Sequence, residues 1–227
     1  MKCAIMQPTY IPWSGYFNLI KNVDKFVFLD DVQFEKRSWQ SRNRVLNNGS
    51  QLYLTVPTEK EKQTTLINEI KIDNTQEWKK KHWKTILNCY KNSSFGAELI
   101  DILEPCYKKD YIMLSDLNIK IITAISHAIG LNTEFFTASS LLCKGKRSYH
   151  LIDICNKINC DSYLSPIGSK EYLVSDNFES LSDVNLTFQN YTPRTYKQHR
   201  SLSFISHLSF IDVIANLGIH EAMNYID

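Results

Sequence analysis

The stretch Cys3-Ala4-Ile5-Met6 is short, wholly apolar and cut off by Gln7-Pro8, and it constrains the fold more than any other feature. A brief apolar run without alternation reads as a strand buried on both faces. A helix starting at Gly15 follows, with Ser14 as its N-cap. Lys25-Phe26-Val27-Phe28-Leu29 then forms a second buried strand that ends at Asp30-Asp31. Strand, helix and strand in that order make a β-α-β unit with parallel strands and a right-handed crossover. Parallel strands buried on both faces need helices above and below them, so the chain is expected to be an α/β protein.

The remaining segments extend that pattern. Arg44–Leu46 and Gln51–Val56 flank Asn47-Asn48-Gly49, a hairpin signal. Residues 67–72 alternate imperfectly and predict an edge strand. From Thr75 the period becomes helical, with Trp78, Trp83, Ile86, Leu87 and Tyr90 on one face. Helices are predicted over 95–103 and 111–129, the second closed by Gly130. Strands at 134–137, 162–164 and 185–189 alternate with helices at 148–158 and 205–217, the last stopped by Gly218. The sum is a Rossmann-like three-layer α/β domain with a mainly parallel sheet, a single domain over 1–227 in which 76–130 is a mainly helical insertion or subdomain. In such sheets ligands sit at the carboxyl ends of strands.

Composition narrows the function classes. With 26 basic and 24 acidic side chains the net charge is +2, which lacks the concentrated basic surface of a nucleic-acid protein. The run Lys79, Lys80, Lys81 and Lys84 reads as a solvated helix face or as a small anion site. The six cysteines form no CxxC pair and have no histidines at zinc spacing, so no metal site is predicted. No apolar stretch is long enough to span a bilayer and no signal peptide opens the chain, which predicts a reduced, cytoplasmic protein with no membrane insertion.

Two segments carry the functional signal. The first, Met6 to Phe17, places two prolines, a glycine and four aromatics between a buried strand and a helix. Such a loop is built to hold one shape, and the helix start behind it offers free N–H groups to an anion. Gln7, Tyr10, Trp13, Gly15 and Tyr16 are its candidate substrate-binding residues. The second segment runs from Phe28 to Arg44. Asp30 and Asp31 at the strand end suit a metal, a ribose or an amine, or simply pair with the arginines that follow. Side chains of neighbours on a strand point to opposite faces, so at most one of the two faces a cleft. Lys36, Arg37, Arg42, Asn43 and Arg44 supply cations and planar forks for phosphate or carboxylate.

His82 borders the apolar face of its helix and is the candidate general base, with Asp30 and Asp31 as further catalytic candidates. Gly168-Ser169-Lys170 follows a predicted strand and reads either as an anion nest or as an ordinary strand-to-helix turn. Tyr191 to Gln198, including Tyr196, is a loop placed to face substrate.

The runs Met-Gln-Pro-Thr-Tyr-Ile-Pro-Trp-Ser-Gly-Tyr-Phe at 6–17, Phe-Leu-Asp-Asp-Val-Gln-Phe at 28–34 and Lys-Arg-Ser-Trp-Gln-Ser-Arg-Asn-Arg at 36–44 resemble the WbqC-like protein family. Leu-Thr-Val-Pro at 54–57, Lys-His at 81–82 and Leu-Ser-Phe-Ile-Asp at 208–212 extend the resemblance. It implies a place in O-antigen and lipopolysaccharide biosynthesis, with a transferase that attaches an amino acid or acyl group, such as glycine, to the amine of a nucleotide-linked amino sugar. A fainter resemblance is to adenylate-forming nucleotidyltransferases such as pantothenate synthetase, through Trp13-Ser14-Gly15-Tyr16 and Ser41-Arg42-Asn43-Arg44. Trp13 and Tyr16 stand where that group has histidines. The alternatives left open are a non-catalytic nucleotide-sugar binding module and an ATP-dependent amide ligase. The implied partners are a small-molecule nucleotide sugar and an acyl donor; ATP, a thioester or a charged tRNA can serve as the activated donor.

Overall fold

The computed structural model describes residues 1–227. Five strands form one parallel sheet: β1 (Lys2–Met6), β2 (Lys25–Phe28), β5 (Glu134–Thr137), β6 (Ser162–Ser165) and β7 (Asn185–Phe188). Their spatial order is β5-β2-β1-β6-β7, so the first strand is central. Cys3 lies opposite Lys25 and Met6 opposite Phe28, while Lys2 and Cys3 pair with Ser162 and Tyr163 on the other side.

The period of two divides the central strands between two cores. Ala4, Phe26 and Phe28 face a layer built by α1 (Ser14–Lys21), α2 (Trp78–Tyr90), α3 (Gly96–Lys108), α4 (Leu114–Ala128) and α9 (Phe210–Tyr225). Cys3, Ile5 and Val27 face the opposite layer of α5 (Ala138–Leu141), α6 (Ser148–Lys157), α7 (Lys170–Ser175) and α8 (Phe178–Leu181). Helix, sheet and helix make a three-layer α/β fold. All six cysteines are free thiols. No helix is long and apolar enough to cross a membrane.

Strands β3 (Arg42–Asn47) and β4 (Ser50–Thr55) form a separate antiparallel hairpin. Its turn residues Asn48 and Gly49 have φ of 48° and 77°, the backbone that a tight hairpin turn requires. Asn43, Val45 and Leu54 point inward; Arg42, Arg44, Tyr53 and Thr55 share the outer face.

Several elements differ from expectation. The edge strand expected over 67–72 is a single 3-10 turn, Ile67–Glu69. Its backbone is hydrogen-bonded to three separate segments: the Ile67 and Asn68 N–H groups donate to Val32 and Asp30, the Ile72 N–H donates to Ile112, and the Lys71 carbonyl accepts from the Glu59 N–H. A segment whose partners are scattered cannot extend a ladder. The N-cap position of α1 falls on Trp13, not Ser14. Helix α3 runs on through Pro105 to Lys108. Helix α9 begins at Phe210, where the Ser209 hydroxyl accepts from the Ile211 N–H, and continues past Gly218. Gly218, with non-helical φ 82° and ψ 168°, does end the first segment as expected, and a second helical segment follows across the kink; the Phe95 ring lies 2.7 Å from the place a Cβ would take.

Candidate functional site

From β1 the chain builds outward to β2 and β5 on one side, while β6 and β7 lie on the other. The carboxyl ends of β1 and β6 therefore flank the point where connections leave in opposite directions, the usual ligand position in an open α/β sheet. A 430 Å³ crevice opens there, lined by Gln7, Gly15 and Tyr16 from the end of β1, Ser169 and Tyr172 beyond β6, and Gln189 beyond β7. A second cavity of 280 Å³ adjoins it and adds Asn43, Arg44 and His207. Met6, Thr9, Trp13, Tyr16 and Trp39 line both, so the two are lobes of one cleft.

The wall between the lobes is the proline-bearing loop, and its shape is held from several sides. The Tyr10 N–H donates to the Trp39 carbonyl and the Phe210 N–H to the Pro12 carbonyl. Asn118, fully buried on α4, donates to the carbonyls of Pro8 and Gln40. Asn43 donates to the Tyr10 carbonyl while its own oxygen accepts from the Arg44 N–H. Between the prolines, Ile11 is forced to φ 36°. A β-branched residue there costs on the order of 1–3 kcal/mol, and such strain persists only where neighbours over-determine the backbone. Gly15 is needed for a different reason: a Cβ would sit 2.2 Å from the Trp13 indole, which lies over its backbone. The indole then stacks on the His207 ring, centroids 5.0 Å apart.

Charge in this region is divided unevenly. Asp30 accepts from the Ser139 N–H and hydroxyl at 2.9 and 2.7 Å. Asp31 meets His150 Nε2 at 3.1 Å, and that contact raises the His150 pKa against the opposing effect of burial. Neither aspartate pairs with an arginine. Lys36, Arg37, Arg42 and Arg44 take part in no salt bridge. Arg44 donates to Gln51 Oε1 and to the His207 carbonyl, and its Nε is buried without a partner. The Arg42 Nε is likewise without one.

The structure brings Gln7, Trp13, Gly15, Tyr16, Asn43, Arg44 and Ser169 to the cleft walls. The other candidates lie elsewhere. Tyr10 is fully buried, its hydroxyl bonded to Tyr107 and to His82 Nδ1. His82 is thus a core residue; burial lowers its pKa to about 4, partly opposed by a hydrogen bond with the Thr55 backbone. Asp30 and Asp31 turn to the α5–α6 side through the bonds just given. Lys36 lines a neighbouring hollow with Lys62, and Arg37 sits in a left-handed turn with φ 62°. Arg42 lies on the outer hairpin face against Tyr53. Lys170 lies beside the Phe188 ring. Gly168 has no positive φ and belongs to a 3-10 turn, Ile167–Ser169, which fits the ordinary strand-to-helix turn of the two readings rather than the anion nest. Tyr196 donates to the buried carboxylate of Asp212 at 2.6 Å instead of facing the cleft. No three His, Cys, Asp or Glu side chains gather as metal ligands.

The family model described as the WbqC-like protein family matches residues 7–224. The chain belongs to that family. It is also 33% identical to the uncharacterized protein Rv1507c of Mycobacterium tuberculosis, over 99% of this chain and 97% of that protein. No solved structure matches. In this WbqC-like protein the matched span takes in the α9 kink and every cleft-lining residue except Ile5 and Met6.

Sequence reasoning missed Trp39, Gln40, Gln189 and His207 as cleft-forming residues. Gln40 donates to Gln7 Oε1 and accepts from the Glu35 N–H, joining the two signal segments. Gln189 donates to the Gly15 carbonyl and to Asn18 Oδ1, fixing the start of α1. Trp39 and Gln40 stand inside the second signal segment, where the arginines drew attention away from them. His207 carries no motif; its place depends on the distant bond from Arg44.

Proposed function

We propose that this WbqC-like protein transfers an amino acid or acyl group, with glycine as the test case, to the amine of a nucleotide-linked amino sugar used in surface polysaccharide synthesis. The observation that carries the reading is Arg44: a guanidinium with no carboxylate partner lines a lobe that opens into the switch-point crevice. A planar fork left without a counter-ion suits a diphosphate. The sugar then extends into the crevice against Tyr16, where Gln7, Gln40 and Gln189 offer amide groups of the kind that read hydroxyls. In the reaction the amine nitrogen forms a bond to the acyl carbon as the donor's leaving group departs, and the nitrogen must shed a proton. His207, which lines the adjoining lobe beside Trp13, is the candidate to take it, provided the amine lies at the mouth between the lobes.

A second reading is a non-catalytic module that presents a nucleotide sugar to partner enzymes. It draws on the crevice itself, whose lining includes one charged side chain, Glu35. The ATP-dependent ligase version draws less support, because Trp13 and Tyr16 are neutral and the Tyr16 hydroxyl is bonded to the Gln7 carbonyl.

One experiment separates the three. The protein is incubated with a uridine- or thymidine-diphosphate amino sugar and, in parallel, glycine with ATP, a glycyl thioester and glycyl-tRNA. A sugar carrying one added glycyl group with a preactivated donor supports the transferase. Pyrophosphate release with glycine and ATP replaces it with the ligase. Tight nucleotide-sugar binding with no product from any donor leaves the module, and no binding of the nucleotide sugar sinks all three.

A further inference from the structure

Outside the cleft mouth the hairpin carries two large aromatic rings in solvent. Trp39 is 46% exposed and Tyr53 47% exposed, although large aromatic rings are among the side chains that gain most from burial. The rings are nearly parallel, 18° apart in plane with centroids separated by 6.4 Å. Each is attended by a guanidinium: Arg42 lies 5.0 Å from the Tyr53 centroid and Arg44 5.2 Å from that of Trp39. Neither arginine has a carboxylate partner, and both keep an unbonded buried Nε.

Exposed rings flanked by unneutralised cations are the elements that hold a nucleotide: a flat π-face for the base and positive charge for the phosphates. Position agrees with composition. Trp39 and Arg44 line the cleft while Tyr53 and Arg42 extend the same surface outward. A ligand with its phosphates at Arg44 and its sugar in the crevice must project its remaining end over this shelf.

We infer that the Trp39–Tyr53 shelf is a nucleobase subsite, which stacks the base of the nucleotide-linked substrate without reading its edge. The inference rests on the proposed nucleotide-sugar substrate and adds where the base goes and how it is recognised. The side chains of the shelf touch a base through ring faces and guanidinium planes, and every base has a π-face. Binding is therefore indifferent to base identity, and selectivity resides in the sugar.

The test is calorimetric titration with UDP, dTDP, GDP and ADP, with inorganic pyrophosphate as the base-free probe. The four nucleotides bind within about threefold of one another, and Trp39→Ala weakens all of them by about tenfold, the range of one base–aromatic stack. Tyr53→Ala, at a second solvent-facing position, weakens them in the same direction. Pyrophosphate affinity is unchanged in Tyr53→Ala, and Trp39→Ala lowers it by less than it lowers nucleotide affinity, because Trp39 also lies against Arg44. If nucleotides bind but both variants leave their affinity intact, or if one base is preferred by more than about tenfold, the shelf is not the subsite while the nucleotide-sugar reading stands. A short single-stranded oligonucleotide that binds more tightly than any diphosphate reassigns the shelf to a polynucleotide. Wild-type protein that binds neither the diphosphates nor a nucleotide sugar overturns both the subsite and the function on which it rests.

Discussion

Asp30 and Asp31 lie close in sequence to Arg42 and Arg44, yet the two pairs are treated in opposite ways. The aspartates are turned toward the α5–α6 layer and fully engaged, one by Ser139 and the other by His150. The arginines are turned toward the cleft and its rim and meet no carboxylate. An unpaired buried or half-buried charge is costly to keep, whereas a partnered one can serve the fold. The contrast teaches that the first pair ties the sheet to its helices, and the second is held for an anion from outside.

The largest expected effect comes from a group on neither side of that contrast. His82 is held neutral in the core, with its pKa lowered to about 4. The unfolded chain takes up a proton near pH 6.5 and the folded one does so only near 4, so stability is full above 6.5 and is lost as pH falls through that window. At about 1.36 kcal/mol per unit the loss amounts to about 3 kcal/mol, and His82→Gln flattens it in denaturant titrations run between pH 7 and 4. A wild-type curve that is flat over this window would mean the ring is not sealed from water.

Asp30→Ala removes the acceptor for two Ser139 donors and is expected to lower unfolding free energy by roughly 2 kcal/mol. Diphosphate affinity of the folded protein is unchanged. A loss of affinity with stability kept would break the comparison, because Asp30 would then belong to the ligand. Arg44→Ala should do the reverse, weakening diphosphate binding about tenfold, the magnitude of a charge-assisted hydrogen bond, and Arg44→Lys should recover only part of it because the fork is lost. Isothermal titration at two salt concentrations reads both.

The His150–Asp31 pair sharpens the same point through pH. His150 has a raised pKa, so its contribution is present below the unfolded value near 6.5 and fades as pH climbs through the folded one. Asp31→Asn should abolish this decline, measured as the difference in melting midpoint between pH 6 and 8. Smallest of all is the effect of Arg42→Ala on stability, no more than about 1 kcal/mol, because the side chain has only its solvent-exposed contact with the Tyr53 ring to lose. A larger drop in chemical denaturation would show that Arg42 supports the hairpin.

Local signals made the central part of the fold readable. Residues 3–6 and 25–29 are apolar runs with firm stops, and Asn48-Gly49 demands its turn, so β1, β2 and the hairpin could be placed within a residue or two. Elements defined by distant partners were not readable. The segment 67–72 alternates like a strand but spends its hydrogen bonds on three different neighbours. The same division runs through the cleft. Trp13, Gly15, Tyr16 and Arg44 were legible because their chemistry is local to the loop and the hairpin. Tyr10, between the prolines, is a substrate-binding candidate by sequence and His82 a border residue; in the fold the buried Tyr10 hydroxyl bonds both His82 and Tyr107, a contact across the helical layer. His207 reaches the cleft through contacts between distant segments: Arg44 holds its carbonyl, the Ser209 N–H donates to the Arg44 carbonyl, and its ring stacks on Trp13.

Ile11 keeps its unfavourable backbone through bonds made entirely within the chain, from Trp39, Asn43, Asn118 and Phe210 to the loop around it. The conformational freedom of the loop is therefore surrendered when the chain folds, and association finds a rigid wall already standing. Loosening the clamp, for instance by replacing Asn118, would shift that entropic penalty onto the docking event. The altered protein would capture its ligand more weakly, although Asn118 lines neither lobe of the cleft.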